Sequence, residues 1–282
     1  MTHSDIQIEL RDTWESAAPG WAKWEAVIAA GLVDATDAML DMAGVDADMR
    51  VLDLACGAGS QTLKAAERVG PQGRVLAIDI SATMLAQVQE RAQRNGIGNI
   101  ETLECAAEDL PAAQGAFDAA ICRLGLMLFP APKQALEAVQ SVLKPQARFA
   151  ALVFTTPSNN LFMSQPMQIL LRHAGKEPPP AGKPGIFALG RAGVLEGLLS
   201  DAGFSGVRAE VVRASLRLDS SAEALEMMQQ AFGAYRAVVA DLDPEARAAA
   251  WSDVGECLKR FEGDDGFRVD LEFVIGSGAK AI

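Results

Sequence analysis

Residues 51–62 read V-L-D-L-A-C-G-A-G-S-Q-T and decide the fold. An apolar run that carries one acid, Asp53, ends in two glycines, Gly57 and Gly59, and then passes into a helical pattern. This order predicts a buried strand, a tight turn and a helix. Because glycine has no Cβ, the backbone of the turn can adopt unusual dihedral angles and lie directly against a ligand. The free N–H groups around Ser60, at the start of the helix, favour an anion.

Strand-like and helical segments alternate after this turn. Further strands are predicted at residues 74–81, 100–105, 117–123 and 148–155, with a sixth at 207–218. The alternation predicts a parallel, right-handed, doubly wound α/β sheet, whose ligands bind outside the carboxyl ends of the strands. Residues 268–275 alternate strictly between apolar and polar side chains, which is typical of a strand with one solvated face.

The spacing of the glycines separates two classes of cofactor. Dinucleotide binding requires G-x-G-x-x-G, but Thr62 occupies the third glycine position, and the Gly-Lys-Ser/Thr of a phosphate-binding loop is absent. An acid four residues before Gly57, followed by a short Gly-x-Gly, resembles motif I of the class I S-adenosylmethionine-dependent methyltransferases. A purely structural turn is the alternative interpretation of this motif.

Two later segments extend the resemblance to the ubiquinone/menaquinone-biosynthesis-like (type 11/25-like) methyltransferases. Residues 106–111 read A-A-E-D-L-P where that subfamily commonly has D-A-E-D-L-P, and residues 123–130 read R-L-G-L-M-L-F-P where it has R-F-G-L-M-F-F-P. The resemblance implies a Rossmann-like seven-stranded sheet, parallel except for one antiparallel C-terminal strand inside it. It also implies S-adenosylmethionine as methyl donor and S-adenosylhomocysteine as product. Cys105 and Ala106 depart from the subfamily's Gly-Asp.

Asp79 is the leading candidate for a cofactor-binding side chain. It ends the second predicted strand, twenty residues after Gly59, and its two oxygens can accept both hydroxyls of a ribose. A solvated loop acid is the alternative, and Ile80 and Met84 are expected beside the adenine ring. The predicted cofactor-binding set is Asp53, Ala55, Gly57, Gly59, Asp79, Ile80, Met84, Ala106, Ala107, Glu108, Arg123, Trp14 and Trp21.

Three side chains are candidates for catalysis. Arg123 follows the fourth predicted strand and either holds a carboxylate bidentately or pairs with an acid such as Asp53. His173 is a candidate general base, with a surface or helix-end role as the alternative. Tyr235 is a candidate for positioning an acceptor hydroxyl.

The segments outside the alternating core are expected to cover the site. Residues 1–45 form a helical cover interrupted at Pro19-Gly20, 46–156 the cofactor-binding core, 157–190 a lid insertion, and 191–282 complete the sheet with a helical insertion at about 220–262. Trp14 and Trp21 either line the site or only pack the helices. The lid is expected to contribute apolar side chains to the acceptor pocket, or only to its own core: Phe162, Met163, Met167, Phe232 and Tyr235.

Composition narrows the function further. The chain has 282 residues, a net charge of -12 and a pI of about 4.7, which argue against broad contact with nucleic acid and favour a small-molecule acceptor. Four scattered cysteines and two histidines predict no metal site or disulfide scaffold. No apolar run reaches the ~18 residues of a membrane span, and the expected location is cytoplasmic. The oligomeric state is not predicted.

These features predict an S-adenosylmethionine-dependent methyltransferase of small molecules, acting on an O, N, C or S nucleophile without a metal. Alignment of the reactants and exclusion of water would supply most of the catalysis. A non-catalytic S-adenosylmethionine-binding protein is the alternative from another class. A nicotinamide-dependent oxidoreductase is a weaker one, because of Thr62.

Overall fold

The computed structural model describes residues 3–111, 115–180 and 182–282, and its centre is a mixed β-sheet. The strands are β1 (Arg50–Leu54), β2 (Arg74–Asp79), β3 (Ile100–Glu104), β4 (Phe117–Arg123), β5 (Leu143–Phe154), β6 (Phe204–Leu218), β7 (Glu262–Gly263) and β8 (Gly266–Lys280). The helices are α1 (His3–Gly31), α2 (Val33–Ala43), α3 (Ser60–Val69), α4 (Ala82–Arg94), α5 (Pro132–Val142), α6 (Leu161–Ala174), α7 (Val194–Asp201), α8 (Ser221–Ala231), α9 (Gly233–Val238) and α10 (Pro244–Leu258).

The order of the long strands is β3-β2-β1-β4-β5-β8-β6. Neighbours among β1 to β5 are parallel, whereas β8 is antiparallel to both β5 and β6, so β6 runs parallel to the first five. The predicted doubly wound sheet is therefore confirmed, with its last long strand antiparallel and inside the sheet. The two-residue strand β7, which pairs with β8, was not predicted.

The sheet order places a crevice beside β1. The chain runs from β1 through β2 to β3 on one side and then returns to β4 on the other. The connections leave β1 and β4 in opposite directions at this point, and they leave a gap outside the carboxyl ends of these strands. The glycine turn after β1 opens into this gap.

The two halves of β8 explain its conflicting sequence pattern. Residues 267–271 alternate between buried and exposed side chains, whereas residues 273–278 are all buried. The first half pairs with β6 but not with β5, and the second half pairs with both. Strict alternation therefore marks only the part of the strand that extends beyond β5.

One prediction about the helices is wrong. Helix α1 continues through Pro19 and Gly20, and the break before α2 falls at Leu32 instead. The helical insertion predicted at about 220–262 contains α8, α9 and α10, with a break at Phe232 between the first two. Its first helix is capped, since Ser220 Oγ accepts the N–H of Glu223 at 3.2 Å.

The outer helices pack on one another where β5 and β6 end. Helix α8 packs against α1, α10 against α6, and α9 against both α1 and α6. Helices α6 and α8 follow the carboxyl ends of the parallel strands β5 and β6. The N-terminal helix and the later insertions thus meet on the side of the sheet that carries the crevice.

Candidate active site

A cavity with about 980 Å³ of empty volume occupies the crevice. Its walls come from α1, from the turn after β1, and from the segments that follow β2, β3 and β4. Every member of the predicted cofactor-binding set except Asp53 lines it. Segments far apart in the sequence therefore converge on one site, as the order of the motifs predicts.

The two glycines of the turn are required for different reasons. Both have a positive φ, +53° at Gly57 and +89° at Gly59, which disfavours other residues. A Cβ on Gly57 would meet no atom within 4 Å and would project into open space. A Cβ on Gly59 would lie 2.8 Å from Cγ2 of Val88. Gly57 thus leaves room at the turn, whereas Gly59 allows α4 to pack closely.

Asp79 lies at the edge of the cavity and already supports the turn. Its Oδ2 accepts the N–H of Gly57 at 2.9 Å, and its Oδ1 accepts the N–H of Ser81 at 3.0 Å. Its side chain is largely buried, and burial raises its pKa, although these backbone hydrogen bonds oppose the shift. Each carboxylate oxygen retains a second lone pair that can accept a hydroxyl.

Asp53 is the one member of the predicted cofactor-binding set that does not line the cavity. It is fully buried in β1, where Oδ2 accepts the hydroxyl of Thr62 at 2.6 Å and Oδ1 accepts Nε2 of Gln61 at 3.4 Å. Burial raises its pKa to about 7. Asp53 therefore anchors α3 to β1, and the residue that replaces the third glycine is its hydrogen-bond partner.

The segment after β3 forms part of the cavity wall that also contains Ile80 and Met84, the two residues expected beside the adenine ring. Ala106, Ala107 and Glu108 line the cavity together with Ile80 and Met84. Oε1 of Glu108 accepts the N–H of Ala131 at 3.2 Å, so this carboxylate also ties the wall to the segment after β4.

Arg123 ends β4 and reaches the cavity beside Ser60. Its guanidinium donates to Oγ1 of Thr36 at 3.1 Å and to Oγ of Ser60. Burial lowers its pKa to about 10, and the charges of Asp53 and Glu25 oppose that shift. No carboxylate of the described residues lies within 4.0 Å of it. Of the two predicted roles, pairing with Asp53 is therefore not observed.

Helix α1 contributes a residue that the sequence did not single out. Glu25 lines the cavity, its side chain is nearly buried, and its Oε2 lies 2.5 Å from Nη2 of Arg91. Its other oxygen, Oε1, has no partner in the described chain, and the same holds for Nε1 of Trp21 and Oε1 of Gln61 on the same cavity. The spacing in the sequence could have indicated Glu25, because it follows Trp21 by four residues and so shares one face of a helix with it.

A second cavity, of about 760 Å³, adjoins the first. Trp14, Trp21, Leu124 and Leu128 line both, so the two spaces are neighbours across these side chains. Almost all other residues around the second cavity are apolar, and they include Phe162, Met163 and Phe232 from the predicted lid. Met167 packs against the core but does not line this cavity.

The two remaining catalytic candidates do not offer a free base. His173 lines neither cavity, and its Nε2 lies 2.8 Å from Oδ2 of Asp253 on α10. This position, in the last turn of α6, agrees with the alternative helix-end role rather than with a general base. Tyr235 lines the second cavity, but its hydroxyl donates to the carbonyl of Met163 at 2.6 Å, and burial raises its pKa far above its usual value.

Comparison with known proteins finds similarity over the central part of the chain. A family model described as a methyltransferase domain matches residues 45–168, which is less than half of the chain. They are also similar to the ubiquinone/menaquinone biosynthesis C-methyltransferase UbiE of Pseudomonas savastanoi pv. phaseolicola, with 37% identity over 123 residues, 43% of this chain and 48% of the relative. The match thus spans about half the length of that relative.

Solved structures share the fold over most of the chain. The YcgJ protein from Bacillus subtilis covers 89% of this chain and 99% of its own, with a TM-score of 0.60 and 17% identity. The [4+2]-cyclase SpnF covers 88% of this chain and 80% of its own, with a TM-score of 0.56 and 21% identity. Identities this low show the fold alone. Across the ranges that the structure describes, no helix has the length and apolar character needed to cross a bilayer.

Proposed function

We propose that the chain is a class I S-adenosylmethionine-dependent methyltransferase that acts on a small molecule with an apolar reacting part. The observation that carries the proposal is the pair of adjoining cavities at the carboxyl edge of the sheet. The first cavity is lined by the glycine turn, Asp79 and Arg123. All of these lie in residues 45–168, the part of the chain that matches the methyltransferase domain. The second is apolar and is closed by α1 and the later helices.

The first cavity fits the three chemical parts of the cofactor. Asp79 accepts the ribose hydroxyls, and Ile80 and Met84 lie against the adenine ring. The space beside Gly57 admits the backbone of the methionine part, whose carboxylate pairs with the guanidinium of Arg123. This carboxylate would provide the negatively charged partner that Arg123 lacks within the described protein.

The second cavity would hold the acceptor. Methyl transfer is an in-line displacement at a sulfonium, so the acceptor atom must approach the methyl group from the side opposite sulfur. The boundary formed by Trp14, Trp21, Leu124 and Leu128 is where the two cavities meet, and we place the reacting atoms there. Holding reactants in such an arrangement can supply about 7–11 kcal/mol of the barrier reduction.

The lining of the second cavity restricts the chemistry. Among the described residues around it, only Tyr235 has a titratable side chain; it is protonated at neutral pH, and burial raises its pKa further. We therefore propose an acceptor that is already nucleophilic, or that loses its proton to solvent after transfer. The leaving group is a neutral thioether, so the reaction needs no metal to stabilise charge on it.

The test is a methyl-transfer screen. Purified protein is incubated with S-adenosylmethionine that carries a labelled methyl group and with fractionated metabolite extracts, and products are detected by mass spectrometry. We expect label in an apolar small molecule, and less of it with the Asp79→Ala variant at the same limiting cofactor concentration. Measurable cofactor affinity with no labelled product in any fraction would contradict methyl transfer.

A binding protein without methyltransferase activity is the second candidate. Cys105 and Ala106 stand where the resembled subfamily has Gly-Asp, and one structure of this fold is named as a cyclase rather than a methyltransferase. The same screen separates the candidates, because only a methyltransferase converts bound cofactor to S-adenosylhomocysteine. Tight NAD binding without S-adenosylmethionine binding would instead favour the oxidoreductase.

A further inference from the structure

We propose that Glu25, on helix α1, binds the α-ammonium group of the cofactor's methionine part. The proposal rests on the proposed function and extends it, because it assigns to the N-terminal helix a direct part in cofactor binding. Residues 45–168, which match the methyltransferase domain, do not include Glu25.

The first observation is a buried carboxylate oxygen without a partner. Glu25 is 5% exposed and lines the cofactor cavity, where Oε2 pairs with Arg91 but Oε1 has no partner among the described residues. A buried charged acceptor that lacks a hydrogen bond is costly. A cationic donor in the cavity would remove that cost.

The second observation is another buried oxygen in the same condition. Gln61 lines the same cavity, and its Oε1 is also buried without a partner among the described residues, whereas its Nε2 donates to Asp53 and to the carbonyl of Cys56. An ammonium group has three N–H donors. It can therefore serve more than one acceptor, which a single hydroxyl donor cannot.

The third observation is the arrangement of charge. Arg123 enters the same cavity as a cation, and the charge of Glu25 acts on it without forming an ion pair within 4.0 Å. An α-amino acid carries its ammonium and carboxylate on one carbon atom. A carboxylate on one wall and a guanidinium on another match such a zwitterion in sign.

Glu25 is also held in position. Arg91 pairs with it through Nη2 at 2.5 Å and donates through Nη1 to the carbonyl of Ala58 at 2.9 Å. Arg91 thus links α1 to the glycine turn, and the free oxygen of Glu25 is fixed relative to the part of the site that was predicted from motif I.

The test compares three ligands by calorimetry on the full chain. S-adenosylhomocysteine carries both the ammonium and the carboxylate, an analogue with hydrogen in place of the α-amino group carries only the carboxylate, and 5′-methylthioadenosine carries neither. We expect Glu25→Gln to weaken S-adenosylhomocysteine binding about 10- to 150-fold, the range for a hydrogen bond to a charged group. Binding of the other two ligands should not change.

The control is Glu9→Gln, which removes the same charge from an exposed position on α1. It should leave all three affinities unchanged. Equal weakening of all three ligands by Glu25→Gln would show a merely structural role through Arg91, and no weakening of any would exclude a contact, so either result overturns the inference. If the wild-type chain binds neither S-adenosylhomocysteine nor 5′-methylthioadenosine, the proposed function itself fails.

Discussion

Asp53 and Asp79 are two buried acids on neighbouring strands with different surroundings. Asp79 is the last residue of β2 and reaches the cavity, whereas Asp53 lies inside β1 beneath α3. Burial raises the pKa of both. The position within the strand, rather than the residue type, therefore separates an acid that lines the cavity from one that holds a helix to the sheet.

Replacing Asp79 should weaken cofactor binding. We expect Asp79→Ala to lower the affinity for S-adenosylmethionine by ~1.5–3 kcal/mol, because a hydrogen bond to a charged acceptor is lost. Titration calorimetry measures the change, and Glu104→Ala, an exposed acid at the end of β3, is the matched control. Unchanged affinity in a folded Asp79→Ala variant would remove this residue from the site.

Asp53 should make stability depend on pH. Its pKa is about 7 in the folded chain and near 3.8 when unfolded, so the folded state binds the extra proton between these values. Its contribution is present below pH 4 and is lost as pH rises towards 7. We expect the unfolding free energy of Asp53→Asn, relative to wild type, to rise by on the order of 4 kcal/mol over this window. Urea unfolding at several pH values measures it, and a constant difference would contradict the assignment.

The sequence predicted the site residues whose positions follow from the local strand pattern. Asp79 and Arg123 are the last residues of their strands, and Gly57 lies in the turn after β1. The sequence could not show that the side chain of Asp53 accepts a hydrogen bond from Thr62 and does not line the cavity, because this depends on the face of the sheet to which one strand residue points. Glu25 was missed because its place in the cavity arises from the packing of α1, a contact between distant segments.

Helix α1 shows how one element depends on another. A Cβ on Gly20 would lie 2.0 Å from the carbonyl oxygen of Gln230, at the end of α8. The Pro19-Gly20 pair looks like a helix break in the sequence, yet the glycine serves close approach between two helices. The low helix propensity of proline and glycine wrongly predicts that the helix ends at this pair, because tertiary packing outweighs local propensity.

Adding a methyl group at Gly20 should disturb the packing of α1 against α8. We expect Gly20→Ala to destabilise the fold by about 1–3 kcal/mol, since α8 must move away from α1. Gly197→Ala is the matched control: it lies in α7 with nothing within 4 Å of the added Cβ, and it should be neutral or stabilising. Denaturant unfolding measures both, and equal effects would show that the contact at Gly20 is unimportant.

Across the whole molecule, the effect of cofactor binding should extend beyond the glycine turn to the N-terminal helix. Helix α1 supplies Leu10, Trp14, Trp21 and Glu25 to the first cavity. We expect saturating S-adenosylhomocysteine to slow amide hydrogen exchange in α1 as well as in the turn after β1, with no change at the outer strand β6. Hydrogen-exchange mass spectrometry tests this, and protection confined to the turn would argue against it.

The matched stretch, residues 45–168, carries most of the first cavity but only a minority of the residues around the second. Trp14, Trp21, Phe232 and Tyr235 all come from outside it. If, as we propose, the first cavity binds the methyl donor and the second the acceptor, the similarity over residues 45–168 covers most of the donor site and little of the acceptor site. An acceptor assigned from a relative that aligns only over this stretch would therefore rest on the part of the chain that contributes least to the acceptor cavity.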